Sequence, residues 1–207
     1  MESNHHNLTL LLASASRYRR ELLRRLTPDF RYEAAHIDET STSGEPARDL
    51  VMRLAEAKAR AVAARHTGNG QPVLVIGSDQ AAVRGREIIG KPGNYDNAVS
   101  QLRQASGNEL TFLTGLCVLD NRDASVQVCC VPCQVRFREL DDALIHAYLA
   151  REPALDCAGA FKSEGLGIAL LEDMTTTDPT ALIGLPLISL TRLLSRAGYD
   201  VIATPSM

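Results

Sequence analysis

No stretch of the chain reaches the roughly 18 consecutive apolar residues of a membrane-crossing helix, and there is no internal repeat or low-complexity tract. The opening residues, MESNHHNLTLLLASAS, lack the basic segment of a secretory signal, so the expected compartment is the cytoplasm. A large excess of either charge is missing: the formal net charge is -3 over 207 residues. That excludes general attraction to nucleic acid or to an acidic membrane. A long basic stripe with repeated aromatics, as in single-strand binders, is also missing. A GxxxxGK[ST] phosphate loop is absent.

Cysteine is too sparse for a disulfide framework. There are five, an odd number, and only one CxxC, at Cys130 and Cys133. Such a pair suits a redox site or half a zinc site. Its surroundings, SVQVCCVPCQVRF, read as extended chain, where residues three apart face opposite sides. Only a bulge or turn at Pro132 would bring the two thiols together. The expectation is of ordinary buried or half-buried thiols, suited to a reducing compartment.

What is present is apolar content, 45%, enough for a sizeable core in one domain or two lobes sharing a core. NLTLLLAS, Asn7 to Ser14, reads as a buried strand, and RRELLRRL switches to helical spacing near Arg17. A second helix is expected from Ala47 to about His66, with Leu50, Val51, Leu54, Ala57, Ala61 and Val62 inward, stopped by TGNGQ. PVLVIGSDQAAV, Pro72 to Val83, has the near-continuous apolar run of a strand covered on both sides. RGREIIGKPG reads as a hairpin excursion turning near Gly85. YDNAVSQLRQAS is helical and ends at Gly107-Asn108. ELTFLTGLCVLD and SVQVCCVPCQVRF read as antiparallel neighbours joined by NRDA. Asp141 or Asp142 caps a helix through Leu149. AGAFKSEGLGIALLED combines a glycine-rich loop with a strand, DPTALIGLP is a loop, and PLISLTRLLSRAG is a final amphipathic helix closed by Gly198. The mixture predicts α/β with a mixed sheet.

Chemistry concentrates at few places. Where TLLLAS gives way to the first helix, free backbone N–H groups attract anions. Ser14 and Ser16 add hydroxyls, and Arg19 and Arg20 add planar charged donors. The arrangement is either a cradle for phosphate oxygens or a capped helix with a solvated basic face. Asp79 lies just past a central strand, where ligand sites of open sheets gather. It would bind a divalent ion or orient a water, or else close a turn on backbone N–H groups. Lys91 in GKPG and Lys58 in its charged helix read locally as solvated lysines. Lys162 and Glu164, in CAGAFKSEGLG, suit a phosphate and a base edge respectively, or a solvated turn. Asp38 and Glu39 either help hold a metal or cap STSGEP.

The markers LLASASRYRRELL, HIDET, RLAEAKA, VIGSDQ, IIGKPG, ASGNELTFLTGL, VRFREL, CAGAFKSEGLG and DPTALIGLPL, in this order, resemble the Maf family of nucleotide pyrophosphatases from Leu8 to about Gly198. The resemblance implies a Maf/ITPase-like fold: an elongated mixed β-sheet flanked by helices, with two lobes around a central cleft. It implies a single domain over residues 8–198, with 1–7 and 199–207 as terminal extensions, and a homodimer. The implied reaction is hydrolysis of a nucleoside triphosphate between its α and β phosphates, supported by a divalent cation, Mg or Mn. Asp79 matches the proton acceptor. Ser14, Arg19, Arg20, Lys58, Lys91 and Lys162 match substrate-binding positions, and Glu39 matches the early acid, so that Asp79 and Glu39 are the implied metal ligands. Tyr18, Gln80 and Glu164 occupy the positions that separate members acting on 7-methyl-GTP from those acting on dTTP and UTP, and they match the former. The physics agrees. N7-methylated guanine is cationic, a tyrosine face attracts cations, Glu164 accepts from N1–H and the exocyclic amine, and Gln80 offers both donor and acceptor. The implied partner is a modified nucleoside triphosphate, with no stable nucleic-acid or membrane partner. The alternatives are dTTP/UTP hydrolysis, or a non-catalytic nucleotide-binding regulator of septum formation.

Overall fold

The structure is a computed structural model that describes residues 8–66 and 71–203. The TGNGQ helix stop, bar its last residue, the first extension and the end of the last one lie outside the described residues. The chain runs β1 (Thr9–Leu12), α1 (Arg17–Arg24), β2 (Phe30–Tyr32), α2 (Ala47–Ala63), β3 (Val73–Arg84), β4 (Glu87–Ile89), α3 (Tyr95–Ala105), β5 (Glu109–Asp120), β6 (Val126–Phe137), α4 (Asp142–Arg151), β7 (Leu171–Thr176) and α5 (Leu187–Arg196). Seven strands form one sheet in the order β2-β1-β3-β5-β6-β7, with β4 on β3. β1 is parallel to β2 and β3, and the remaining pairs are antiparallel. The fold class is the expected α/β with a mixed sheet.

The strands alternate their side chains between two covered faces. On one face, Leu22 and Leu23 of α1 and Leu190 of α5 pack on Leu12 and Ile76. On the same face but farther along the sheet, α3 and α4 bring Leu102 and Ile145 against Phe112 and Phe137. The opposite face is covered by α2, whose Ala55, Ala59 and Val62 meet Val75 and Cys117. A fully buried leucine such as Leu12 contributes about 2 to 3 kcal/mol.

Helix α2 sits unusually close to the sheet, for a reason written in two glycines. A methyl at Gly77 would stand 2.0 Å from Ala55 O, and one at Gly115 2.1 Å from Val51 O. This approach rotates the helix from the face its apolar pattern suggests. Ala57 and Ala61 are only half-buried, while Ala55, Lys58 and Ala59 take inward places.

The topology leaves one gap. Along one edge of β3, β1 pairs with Val73 to Ile76 and β4 pairs with Ala82 to Arg84. Residues 77–81 between them have no strand on that side among the described residues, although β5 pairs continuously along the other edge. Asp79 lies in this gap, and the cleft of the molecule opens there.

Candidate active site

A cleft of about 1100 Å³ runs from the β1–α1 turn to the loop before β7. At one end, Ser14 is buried and its Oγ accepts the Ser16 N–H at 3.1 Å. Ser16 caps α1, its Oγ accepting from Arg19 N at 3.4 Å. Both hydroxyls therefore keep their O–H for a ligand. The first N–H groups of α1 add donors of the kind that bind phosphate. Arg19 Nε donates to Gly184 O at 2.8 Å, so two terminal nitrogens are left to form a fork. Burial holds the Arg19 guanidinium below the ordinary arginine range, while the Asp79 and Glu39 charges pull it back up. It stays cationic and poorly hydrated, which suits a phosphate.

Arg20 does not join this cradle. One residue on, it points about 100° away around the helix, and its guanidinium lies 4.4 Å from the centre of the Tyr32 ring, away from the cleft lining. Its Nε is buried without a hydrogen-bond partner.

The middle of the cleft holds the acid. Asp79 is buried, and its Oδ1 accepts from Lys58 Nζ at 2.6 Å. The same ammonium lies 2.8 Å from Glu39 Oε1. Lys58 is thus not on a solvated face: the close seat of α2 carries it inward, where two carboxylates compensate its charge. Glu39 remains exposed, on the loop that leads from β2 to α2. Asp38 turns away to bond Thr40, which holds its carboxyl below the usual range.

The two carboxylates converge on one cationic point from separate segments. That oxygen-only donor set fits a hard divalent ion, because Mg²⁺ is commonly held by one or two carboxylates with substrate phosphates and water. Among the described residues no group of three or more His, Cys, Asp and Glu forms a self-sufficient metal cage.

The far wall carries Lys91, Lys162 and Glu164. Lys91 follows β4 and is exposed, with no ion pair among the described residues. Lys162 N donates to Tyr148 Oη at 3.2 Å, which fixes the loop backbone. Burial lowers the Lys162 ammonium, but hydrogen bonding and charge interaction with Tyr18 outweigh it and leave the group above its ordinary range. Tyr18 and Lys162 line the same cleft. Glu164 is exposed on a loop held by Glu152, whose Oε2 accepts the Leu166 N–H. A methyl at Gly165 would come within 2.4 Å of that same oxygen, so the glycine makes room for the brace. Asp156, which no sequence motif marks, also lines this wall, and its charge helps hold Lys162 up.

Gln80 departs from its expected use. Its Nε2 donates to Ala181 O at 2.8 Å and Leu182 O at 3.1 Å, and lies 3.0 Å from Thr114 Oγ1. An amide nitrogen has two hydrogens, and both are spent. Gln80 therefore offers a ligand only its Oε1, not a donor and an acceptor. In the sequence this segment has the signature of a loop and no more. Nothing local in DPTALIGLP announces that its carbonyls reach β3.

Comparison with known proteins finds relatives over nearly the whole chain. The family described as Maf-like protein matches residues 9–197. A 7-methyl-GTP pyrophosphatase of Thiobacillus denitrificans is 49% identical over 96% of this chain and 96% of its own length. One of Nitrosococcus oceani is 50% identical over 94% and 96%. Among solved structures, a dITP/XTP pyrophosphatase of Mycobacterium abscessus matches with a TM-score of 0.41 and 14% identity over 91% of this chain and 98% of its own, a likeness too slight to bear on function.

Proposed function

The chain belongs to the Maf-like protein family, and from that premise we propose that it hydrolyses 7-methyl-GTP between the α and β phosphates, releasing 7-methyl-GMP and pyrophosphate. Relatives of about half-identical sequence over nearly the whole chain carry that activity in their names. The observation that carries the reading to this chain is the buried Asp79–Lys58 pair with the exposed Glu39 on the same ammonium, set in the same cleft as the Ser14–Arg19 cradle.

The triphosphate lies against the cradle, with Arg19, Lys58, Lys91 and Lys162 offsetting its charge. Asp79 accepts a proton from the attacking water, or fixes its direction, for in-line displacement at the α phosphorus. Lys58 sits between the acid and the phosphates and compensates charge on both. Mg²⁺ or Mn²⁺, held by Asp79 and Glu39 with phosphate oxygens, would supply electrostatic stabilisation of the leaving pyrophosphate.

The base lies toward Tyr18, Gln80 and Glu164. The Tyr18 ring already attracts a cation, since the Arg17 guanidinium carbon is 5.2 Å from its centre. A cationic methylguanine has the same attraction for the ring, and the Glu164 carboxylate adds a charge-assisted acceptor.

A cytoplasmic location and a homodimer complete the proposal. The five free cysteines suit a reducing compartment, and the dimer rests on the resemblance. The acidic net charge is unfavourable to a nucleic-acid partner.

The test is a nucleotide panel with added Mg²⁺ or Mn²⁺, detecting pyrophosphate and orthophosphate separately. Pyrophosphate released fastest from 7-methyl-GTP is the expected result. Preference for dTTP or UTP would transfer the chain to the other substrate class. Tight binding without pyrophosphate release would favour a regulator.

A further inference from the structure

One buried carboxylate has no part in the chemistry above. Asp178 is 1% exposed and lies outside the cleft lining. Its Oδ1 accepts the Thr180 hydroxyl at 2.9 Å, and its Oδ2 accepts Ser189 N at 2.9 Å. Thr180 Oγ1 in turn accepts Leu187 N at 2.8 Å. The two N–H groups belong to the first turn of α5, whose N-cap, Pro186, has no side-chain hydrogen bond to offer. Asp178 and Thr180 thus cap α5 from outside, and in doing so they tie down both ends of residues 178–189.

The tied segment aims three carbonyls at the sheet. Ala181 O and Leu182 O receive Gln80 Nε2, and Ala181 O also receives the Thr114 hydroxyl. Gly184 O receives Arg19 Nε and lies 2.9 Å from Ser78 Oγ. Gly184 adopts φ +115°, a left-handed value that favours glycine. Turning the Gln80 amide over would set Oε1 against two carbonyl oxygens, so its orientation is imposed by the segment.

We propose that Asp178 and Thr180 are positioning residues that fix the polarity of base recognition, holding Gln80 so that it meets the base only as an acceptor. The inference rests on the nucleotide pyrophosphatase reading and deepens it. With Glu164 also an acceptor, the base end of the cleft favours contiguous donors. Guanine presents N1–H and an exocyclic amine side by side. Hypoxanthine keeps N1–H but lacks the amine. Adenine turns N1 into an acceptor, which meets the Gln80 and Glu164 oxygens unfavourably. The chain therefore ranks guanine above hypoxanthine above adenine, independently of the extra preference for N7 methylation.

The experiment measures kcat/KM for GTP, ITP and ATP, with 7-methyl-GTP alongside, in the wild type and in T180S, T180V and D178N. Thermal melts accompany every variant. Wild type follows the stated order. T180S keeps the hydroxyl and the wild-type guanine-to-adenine ratio. T180V and D178N lose part of the lock, and the ratio falls about five- to tenfold, the worth of one misplaced hydrogen bond. A residue that only stabilised the fold would lower the melting temperature and leave the ratio alone. An unchanged ratio in folded T180V overturns the inference, as does a wild type that prefers adenine to hypoxanthine. Should both disruptive variants fail to fold, T180A takes their place, since it removes the hydroxyl without setting a branched apolar group against Asp178, and the same ratio is read. Absence of pyrophosphate release from every purine nucleotide would instead refute the underlying reading.

Discussion

Asp79 and Gln80 are neighbours on β3, yet they belong to different environments. Asp79 faces α2, where a buried ammonium lies 2.6 Å from its carboxylate. Gln80 faces the 181–184 segment, where carbonyls hold a neutral amide. One step along a strand thus separates charge from recognition. On the α2 side the polar groups bear full charges, whose interactions strengthen where water is excluded. On the other side the hydrogen bonds that hold Gln80 are neutral and directional, and they serve selection more than rate. The gap in the β3 edge at residues 77–81 lets both residues border one cleft although they point to opposite faces.

The sharpest way to break this comparison is D79N. The amide keeps the shape but cannot take a proton, and Lys58 retains Glu39 as its counter-ion. Turnover should fall about 10³-fold, within the span of general-base effects, while the ratio of kcat/KM between base types stays near wild type. Steady-state kinetics on a panel of triphosphates reads both. Unchanged turnover would remove Asp79 from the chemistry.

Next in size is the seat of α2. G77A places a methyl 2.0 Å from a backbone oxygen that cannot swing aside. Stability should drop by about 3 kcal/mol, the upper range for overpacking, as read by urea denaturation. Turnover should fall too, because Lys58 moves with the helix. G90A is the control, since nothing lies within 4 Å of its added carbon. Equal stability of the two variants would show that the helix yields freely.

The elements of this fold were readable because each announces itself over several residues. The apolar run of β3, the turn at Gly85 and the capped α4 need no distant partner to be recognised. The ingredients of the cleft were readable as an ordered set of motifs, Asp79 and Ser14 among them. Three features were not. Lys58 looked solvated because its burial depends on Gly77 and Gly115, residues of other elements. Arg20 looked equivalent to Arg19 because adjacency in sequence hides a 100° turn around the helix. The polarity of Gln80 is set by carbonyls about a hundred residues away, and backbone oxygens leave no trace in side-chain patterns.

On the recognition wall, E164Q gives a smaller effect. It keeps the size of the side chain and removes its charge. 7-Methyl-GTP should lose about tenfold in kcat/KM, in line with a charge-assisted hydrogen bond reduced to a neutral one, and dTTP should lose little. Equal losses on both substrates would assign Glu164 to loop structure. The braced Glu152–Leu166 contact survives the change, so a general collapse of the loop is not expected.

The smallest expected effect is none at all, at Cys130 and Cys133. The alternation that divides Asp79 from Gln80 also divides these thiols. Cys130 packs beside Val51 and Ala81, under α2, while Cys133 sits with Phe112 and Phe137 on the other face. The β5–β6 register runs unbroken through Pro132, so no bulge turns one toward the other. Burial pushes both thiols upward, that of Cys133 to about 11, which leaves little thiolate to react or to bind metal at neutral pH. Mild oxidation should therefore give no Cys130–Cys133 crosslink by peptide mass spectrometry, and a chelator should leave the melting temperature where it was. A crosslink would mean that β6 bulges or unpairs from β5 at Pro132. Since Gly115 and Thr114 stand between Cys130 and Val131 on one side and Asp79 and Gln80 on the other, a bulge there would disturb the pairing that holds the two functional neighbours of β3 in register.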